Sequence, residues 1–312
     1  MTLMKKIILI LLACFLIISC NGPNDVKPDL ESGKVGMSVS FEGVPEYVYE
    51  GDTIDFNLVF KNLGKYDITD GQILISAYEV NYIPNGFNKD SSITSSDKIS
   101  LQNSKGTFSV VGKSETHLKG GEEEVAISGF VDGLTGDIYQ PPIKVEACYT
   151  YKTTAIANVC FDNGYSKNKE KSKECDYSTV KFNSNGQGGP IGLTNVKVQP
   201  RKDKSLIEFQ VSHFGKGIIF NPGLVSECFS KIGLVDRNYI KVESVEVNGK
   251  SIIDDCVNLD ENSMFRLDKE PPIFACTYTH EDVEGAYPEP VSVTFSYGHL
   301  ITDDSSVVIK KV

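Results

Sequence analysis

Between residues 53 and 61 the chain sets Ile54, Phe56, Leu58 and Phe60 on one side of an extended backbone. Asp55, Asn57 and Lys61 fall off that side, and Val59 is the one apolar residue out of step. Successive side chains of a strand point to opposite faces, so a period of two with one apolar face dictates a half-buried antiparallel strand. The pattern returns in Ile207, Phe209 and Val211 against Glu208, Gln210 and Ser212, and again along Val291, Val293, Phe295 and Tyr297. Val245 and Val247 run into Asn248-Gly249, followed by Ile252 and Ile253. Asn-Gly suits a two-residue hairpin, because both central positions of a type I′ turn need φ > 0. The periodic segments draw on Val, Ile, Thr and the aromatics; the chain has 14 Tyr, 16 Phe and no Trp. Such residues fit a pleated, half-buried surface. Clusters of Gly, Pro, Asn and Asp separate these runs, as in sandwiches, so the expected fold class is all-β.

A chain of this length accommodates two ordinary domains. Residues 183–190, Asn-Ser-Asn-Gly-Gln-Gly-Gly-Pro, form the best linker: glycine lacks the Cβ restriction and proline cannot continue a ladder, so sheet pairing should stop there. The expected division is a signal peptide at 1–19, a tether at 20–34, one antiparallel β-sandwich domain at 35–182, the linker, and a second in tandem at 191–312. The polar, Ser-rich stretch 85–104 reads as a long loop in the first domain. The halves echo one another. Setting Gly64 on Gly215 aligns Lys65 with Lys216, Phe60 with Val211 and Leu58 with Phe209. The shared plan is an alternating strand, a polar residue (Asn62 or His213) and a corner glycine accepting φ > 0. Chance similarity of two amphipathic strands competes with duplication.

Lys5 and Lys6 precede an apolar run from Ile7 to Ile18. Twelve residues are too few to span a hydrocarbon core, which takes about 20 in a helix, but they suit the apolar region of a secretory signal. Ile17-Ile18-Ser19-Cys20 resembles the bacterial lipobox. That resemblance implies cleavage before Cys20, diacylglycerol on its thiol, and anchoring to the membrane on the extracytoplasmic side; an ordinary or retained signal is the competing reading. Residues 21–34, rich in Pro, Gly, Asn and Asp, read as a flexible spacer. Loss of Lys5 and Lys6 moves the formal net charge from −11 to −13. So acidic a body argues against nucleic acid or an anionic membrane surface as partner, since both demand clustered Lys and Arg.

Tyr49-Glu50-Gly51-Asp52, the strand that follows, and Asn62-Leu63-Gly64 resemble the opening of CARDB-type modules. These are Ig-like or fibronectin-like sandwiches of archaeal and bacterial surface proteins. The second half keeps the strand and Gly215 but has His213 in place of Asn and lacks the Gly-Asp. The resemblance implies two Ig-like domains and a surface location; it specifies a fold better than an activity. The stretch from Cys148 to Cys160 also resembles the terminal hairpin of exported archaeal β-proteins. The antibody signature of a core Trp and a tyrosine corner is absent from the sequence.

Six cysteines remain beside Cys14, inside the signal, and Cys20: Cys148, Cys160, Cys175, Cys228, Cys256 and Cys276. An even number in an exported chain reads as disulfides. Cys160 and Cys175 bracket a Lys-rich loop, and Cys256 and Cys276 flank a hairpin excursion. Pairing the remaining Cys148 with Cys228 would lock the two halves together; three cysteines in each half with one left free is the alternative. No C-x-x-C motif favours zinc.

His117, His213, His280 and His299 are scattered, without a G-x-S-x-G elbow or an H-E-x-x-H motif. Asp254-Asp255, Asp260-Glu261, Asp303-Asp304 and the Asp132–Asp137 loop could hold Ca²⁺ between sandwich loops, but none matches EF-hand spacing and solvated acidic loops are the simpler reading. Glu122-Glu123-Glu124 reads as the charged start of a strand. Tyr149, Tyr151 and Tyr165 either cover a sheet face or offer an adhesive surface. Neither a cofactor nor a metal is expected, and no catalytic residue is assigned. The function expected is a non-catalytic surface binding, adhesion or envelope module with an unidentified protein or glycan partner. An accessory subunit of an enzyme or transporter, or a hydrolase with a loop-built site, are the alternatives.

Overall fold

The computed structural model describes residues 36–92, 96–162, 175, 179–182, 187–201, 203–279 and 285–312. The signal, Cys20 and the tether lie outside the described residues, as do Tyr165, His280 and the Lys-rich loop. In chain order the first half lays down β1 (Met37–Glu42), β2 (Tyr47–Tyr49), β3 (Thr53–Asn62), β4 (Ile68–Ser76), β5 (Asn88–Lys89), β6 (Ile99–Gln102), β7 (Lys105–Val110), β8 (Glu122–Phe130), β9 (Ile138–Tyr139) and β10 (Pro142–Asp162). The second lays down β11 (Val180–Lys181), β12 (Ile191–Pro200), β13 (Lys204–His213), β14 (Ile218–Phe220), β15 (Tyr239–Val247), β16 (Lys250–Ser251), β17 (Cys256–Val257), β18 (Met264–Arg266), β19 (Ile273–Thr279), β20 (Ala286–Ser306) and β21 (Val308–Lys310). Among the described residues one short α-helix occurs, Cys228–Lys231, between 3₁₀ turns at Pro222–Glu227 and Leu234–Asp236. The fold is all-β and built of antiparallel sheets, with one parallel pair among the described residues, β2 with β21.

The alternation sets the layers. In β3, Ile54, Phe56, Leu58 and Phe60 are buried, and they face the core between the β1-β3-β8-β5 sheet and the β10-β4-β7-β6 part of a nine-stranded sheet. Phe60 stacks on Phe108 of β7 at 4.9 Å. The second sandwich sets the β11-β12-β13-β19-β17 sheet against the other end of the nine-stranded sheet. Phe274 of β19 meets Phe209, Phe265 and Phe295 there. Asn248 (φ +50°) and Gly249 (φ +78°) make the two-residue turn between β15 and β16.

The sheets do not divide at 183–190. β10 and β20 are 21 residues each and pair over their whole length, from Pro142↔Ser306 to Asp162↔Ala286. At about 3.3 Å per residue the shared ladder runs roughly 70 Å through both sandwiches. β10 begins beside β4 in the first sandwich and ends in the second; β20 begins beside β15 in the second and ends in the first. β21 then pairs with β2 and β9, also in the first. One hydrophobic core runs through both. The expected linker serves close packing instead: Gly188, Gly189 and Pro190 are buried. A Cβ on Gly189 would lie 2.3 Å from Thr153 Oγ1 and 2.8 Å from Tyr297 Oη.

Other expectations shift for similar reasons. The stretch from Cys148 to Cys160 is no hairpin but the middle of β10, continuous because β20 pairs with every residue of it. The 85–104 stretch is partly structured, with β5 on β8 and β6 on β7. Gly64 does not occupy left-handed space; it is small because Tyr151 and the Gly188 carbonyl press on it. In the second half the corner glycine with positive φ is Gly217 (+93°), two residues beyond Gly215.

Candidate functional site at the seam

The two sandwiches meet where the long strands pair Tyr149 with His299, Thr150 with Gly298, and Tyr151 with Tyr297. A 148-residue offset lays Tyr149-Thr150-Tyr151 on Tyr297-Gly298-His299, so the ladder is locally two-fold about Thr150↔Gly298. β3 and β13 bring Asn62 and His213, the aligned polar residues of the internal echo, to this seam. All four ladder rings are at most 1% exposed. They are therefore core residues that carry polar atoms, and each needs a partner.

Asn62 uses its whole amide. Its Nδ2 donates to the carbonyls of Tyr66 (2.6 Å) and Val110 (3.2 Å). Its Oδ1 accepts from Gly64 N–H and Tyr151 O–H, both at 3.2 Å. Thr153 and Tyr297 share a hydroxyl–hydroxyl bond of 2.7 Å, and Tyr66 and Thr154 another of 2.7 Å. His299 Nε2 lies 2.7 Å from the Lys216 carbonyl and Nδ1 lies 2.7 Å from Tyr149 Oη. A carbonyl only accepts, so Nε2 carries the proton and Nδ1 is bare, and the Tyr149 hydroxyl donates to it. His213 stands edge-on to His299 with ring centroids 6.2 Å apart.

Burial governs the protonation states. It pushes the phenols of Tyr149, Tyr151 and Tyr297 above the usual tyrosine range. It pushes His299 down to about 4, with the neighbouring His213 lowering it further and the Lys216 carbonyl opposing. His213 is also lowered, again chiefly by burial. The seam at neutral pH is thus a set of neutral donors and acceptors, paired at Asn62, Tyr149, Tyr151, Thr153, Tyr297 and His299 and open at His213 Nε2, suited to holding two sheets in register.

On the opposite face of β10, Cys148 bonds to Cys228. This bridge pins the helical excursion over a second small core of Cys148, Phe220, Val225 and Cys228. Cys160 bonds to Cys175, and Cys256 to Cys276 directly across β17 and β19. Three disulfides mark a chain that matures in an oxidising environment. No helix among the described residues is long and apolar enough to cross a membrane.

The remaining candidates fall apart in space. His117 sits in an exposed turn with Ser114 and Thr116. Asp260 accepts from the backbone N–H groups of Asn262 and Met264, capping a turn. Asp303 accepts from Phe41 N–H, and Glu122 opens β8. Tyr149 and Tyr151 lie between the sheets rather than on the surface. His213 and His299, two of the four histidines that look scattered in sequence, come together here; the His299–Tyr149 pair was not expected from the sequence, although the repeated aromatic-x-aromatic spacing could have drawn attention to it.

Neither a protein-family model nor a curated protein matches the chain. Solved structures align weakly. AvmM, which catalyzes macrocyclization in alchivemycin A biosynthesis, is 12% identical over 36% of this chain and 74% of its own, with a TM-score of 0.22. The human F-spondin reeler domain is 8% identical over 38% and 82%, at 0.20. The E. coli chaperone DraB is 8% identical over 79% and 86%, at 0.19. Likenesses at this level carry no argument about function.

Proposed function

We propose that the chain is a non-catalytic, extracytoplasmic module, lipid-anchored through Cys20, that carries a protein- or glycan-binding or structural surface away from the membrane. The observation that carries the reading is the buried seam. The histidine and tyrosines gathered at the centre of the molecule are spent on one another inside the core, where they brace a ladder of roughly 70 Å. A stiff body stapled by disulfides suits a spacer or presenting platform, and the lipobox resemblance supplies the attachment. More than one acyl chain is needed for stable anchoring, which the diacylglycerol of that signal class would provide.

The test is expression of the full chain and of Cys20→Ala in a bacterial host with metabolic incorporation of an alkyne-tagged fatty acid. The full chain should take up label, fractionate with membranes and be digested by protease added to intact spheroplasts. Cys20→Ala should lose the label and leave the membrane. Equal membrane retention of both without label would overturn the anchor. Hydrolysis of a broad ester or peptide panel by the purified chain would overturn the non-catalytic reading, and its loss in His299→Gln or His213→Gln would place the activity at the seam.

A further inference from the structure

Residues 214–217 turn from β13 into β14 directly over the buried His299. Gly217 permits the approach: a Cβ there would lie 2.6 Å from His299 Nε2 and 2.5 Å from the Leu300 carbonyl. The Lys216 carbonyl of this turn holds Nε2. β14 then pairs with residues 298–300 of β20, and the chain continues over the second small core to Cys228. Residues 214–227 are thus a flap, fastened at one end by an imidazole and at the other by a disulfide to Cys148. His213, at the root of the flap, has a buried Nε2 with no hydrogen-bond partner.

We propose that the His213–His299 pair is an acid-operated latch on this flap, which opens on proton uptake and stays leashed by the Cys148–Cys228 bridge. The chemistry is proton uptake from solvent, one proton to each ring, and the one on His299 matters most. Bound at Nδ1 of His299, it replaces the acceptor of the Tyr149 hydroxyl with a second donor, so that bond is lost or must reverse. Charging both rings sets two imidazolium groups 6.2 Å apart, His299 fully buried and His213 half-buried, where their repulsion is screened less than in bulk water. The groups facing the pair are the Tyr149 hydroxyl from β10, the Lys216 carbonyl from the flap, and each other. Among the described residues no carboxylate is bonded to either ring, and the Lys216 carbonyl is the acceptor that favours the charged form of both. Opening would uncover Phe220, Val225 and Leu300 of the second small core.

The sign follows from the direction of the shift. A histidine held below its ordinary value of about 6.5 takes up protons more readily once the flap is open. The latch is fully closed above that value and weakens as pH falls toward about 4. At pH 4.5 the opening equilibrium should rise by something on the order of 50- to 100-fold over that at pH 7.5.

Hydrogen exchange with mass spectrometry on the intact, oxidised full chain tests this, after correction for intrinsic exchange at each pH. Peptides covering 214–227 should lose protection between pH 6.5 and 4.5 while β3, β8 and β19 keep theirs. His299→Gln can keep one donor and one acceptor without titrating, and it should remove most of the pH dependence, leaving only the part due to His213. Should that variant fail to fold, a ¹³C-histidine titration of the unaltered protein serves instead. It should find one ring neutral to about pH 5 and titrating together with the loss of flap protection. Uniform loss of protection across the chain, an unchanged flap at pH 4.5, or a His299→Gln flap as acid-sensitive as the original would each overturn the latch.

Discussion

Removing the Cys148–Cys228 bridge should cost more than removing either of the other two. Its partners are 80 residues apart in sequence, against 15 for Cys160–Cys175 and 20 for Cys256–Cys276. On the chain-entropy model the smaller loops are worth about 3 kcal/mol each. The larger is worth about 4 kcal/mol, after allowance for the part of it already shortened by the Cys160–Cys175 loop inside it. Both sulfurs are buried in the second small core, so Cys148→Ala with Cys228→Ala also leaves a void worth about 1 kcal/mol more. The total of about 5 kcal/mol is comparable to the whole stability of many domains.

The assay is guanidinium unfolding of the oxidised chain and of the three paired Cys→Ala variants at pH 7.5. The Cys148/Cys228 variant should have the lowest midpoint and the steepest denaturant dependence, because its unfolded chain is the most expanded. The intact protein should unfold in one transition, since the sandwiches share a ladder. A loss below about 2 kcal/mol on removing this bridge, or one smaller than for Cys160/Cys175, would refute the loop-size reasoning.

Two further substitutions probe the seam. Gly64→Ala places a Cβ 2.0 Å from Tyr151 Oη and 2.3 Å from the Gly188 carbonyl; thermal melts should register a loss of about 1–3 kcal/mol, whereas Gly136→Ala, with open space around it, should stay within about 0.5 kcal/mol. Tyr297→Phe strands the buried Thr153 hydroxyl and should cost about 1–3 kcal/mol, much of it recovered in the double variant with Thr153→Val; no recovery would mean the hydroxyl pair is not coupled.

The strands were legible because β3, β13 and β20 each bury one face against a partner sheet, and a period of two survives in the sequence whenever that is so. The same rule hid the seam. β10 between Ala147 and Tyr149 is buried on both faces, inner face by the opposing sheet and outer face by the Cys228 excursion, so its pattern there loses the alternation that marks a strand's middle. The Gly-Gly-Pro run was misread for a related reason. Glycine answers both to flexibility and to crowding, and composition cannot tell which; only the proximity of Thr153 and Tyr297 does. Asn62 and His213 stood out as aligned polar residues at strand ends, but their shared destination depends on a strand exchange over more than a hundred residues. No local pattern encodes that.

The exchange has a consequence that cutting the chain would expose. If the halves were tandem bodies joined at 183–190, each fragment would fold alone. In the structure, the first sandwich takes Ile301, Val307 and Ile309 from the far end of the chain, all buried. Each contributes roughly 1.5–3 kcal/mol of burial. Their loss alone removes about 5–9 kcal/mol, a sum comparable to the net stability of a domain. The loss of half the β10 ladder comes on top, leaving Ile143 and Val145 along an open edge. Residues 36–185 expressed alone should therefore show no cooperative unfolding and should aggregate. Residues 186–312 should fare no better, because β20 there lacks β10. Co-expressed, the two should assemble one-to-one, since the ladder is long, antiparallel and fixed in register by alternating buried residues. Circular dichroism melts and size-exclusion chromatography decide the matter. A cooperative melt from 36–185 by itself would mean that the first sandwich closes without β20 and β21, and that the shared ladder joins two bodies already complete.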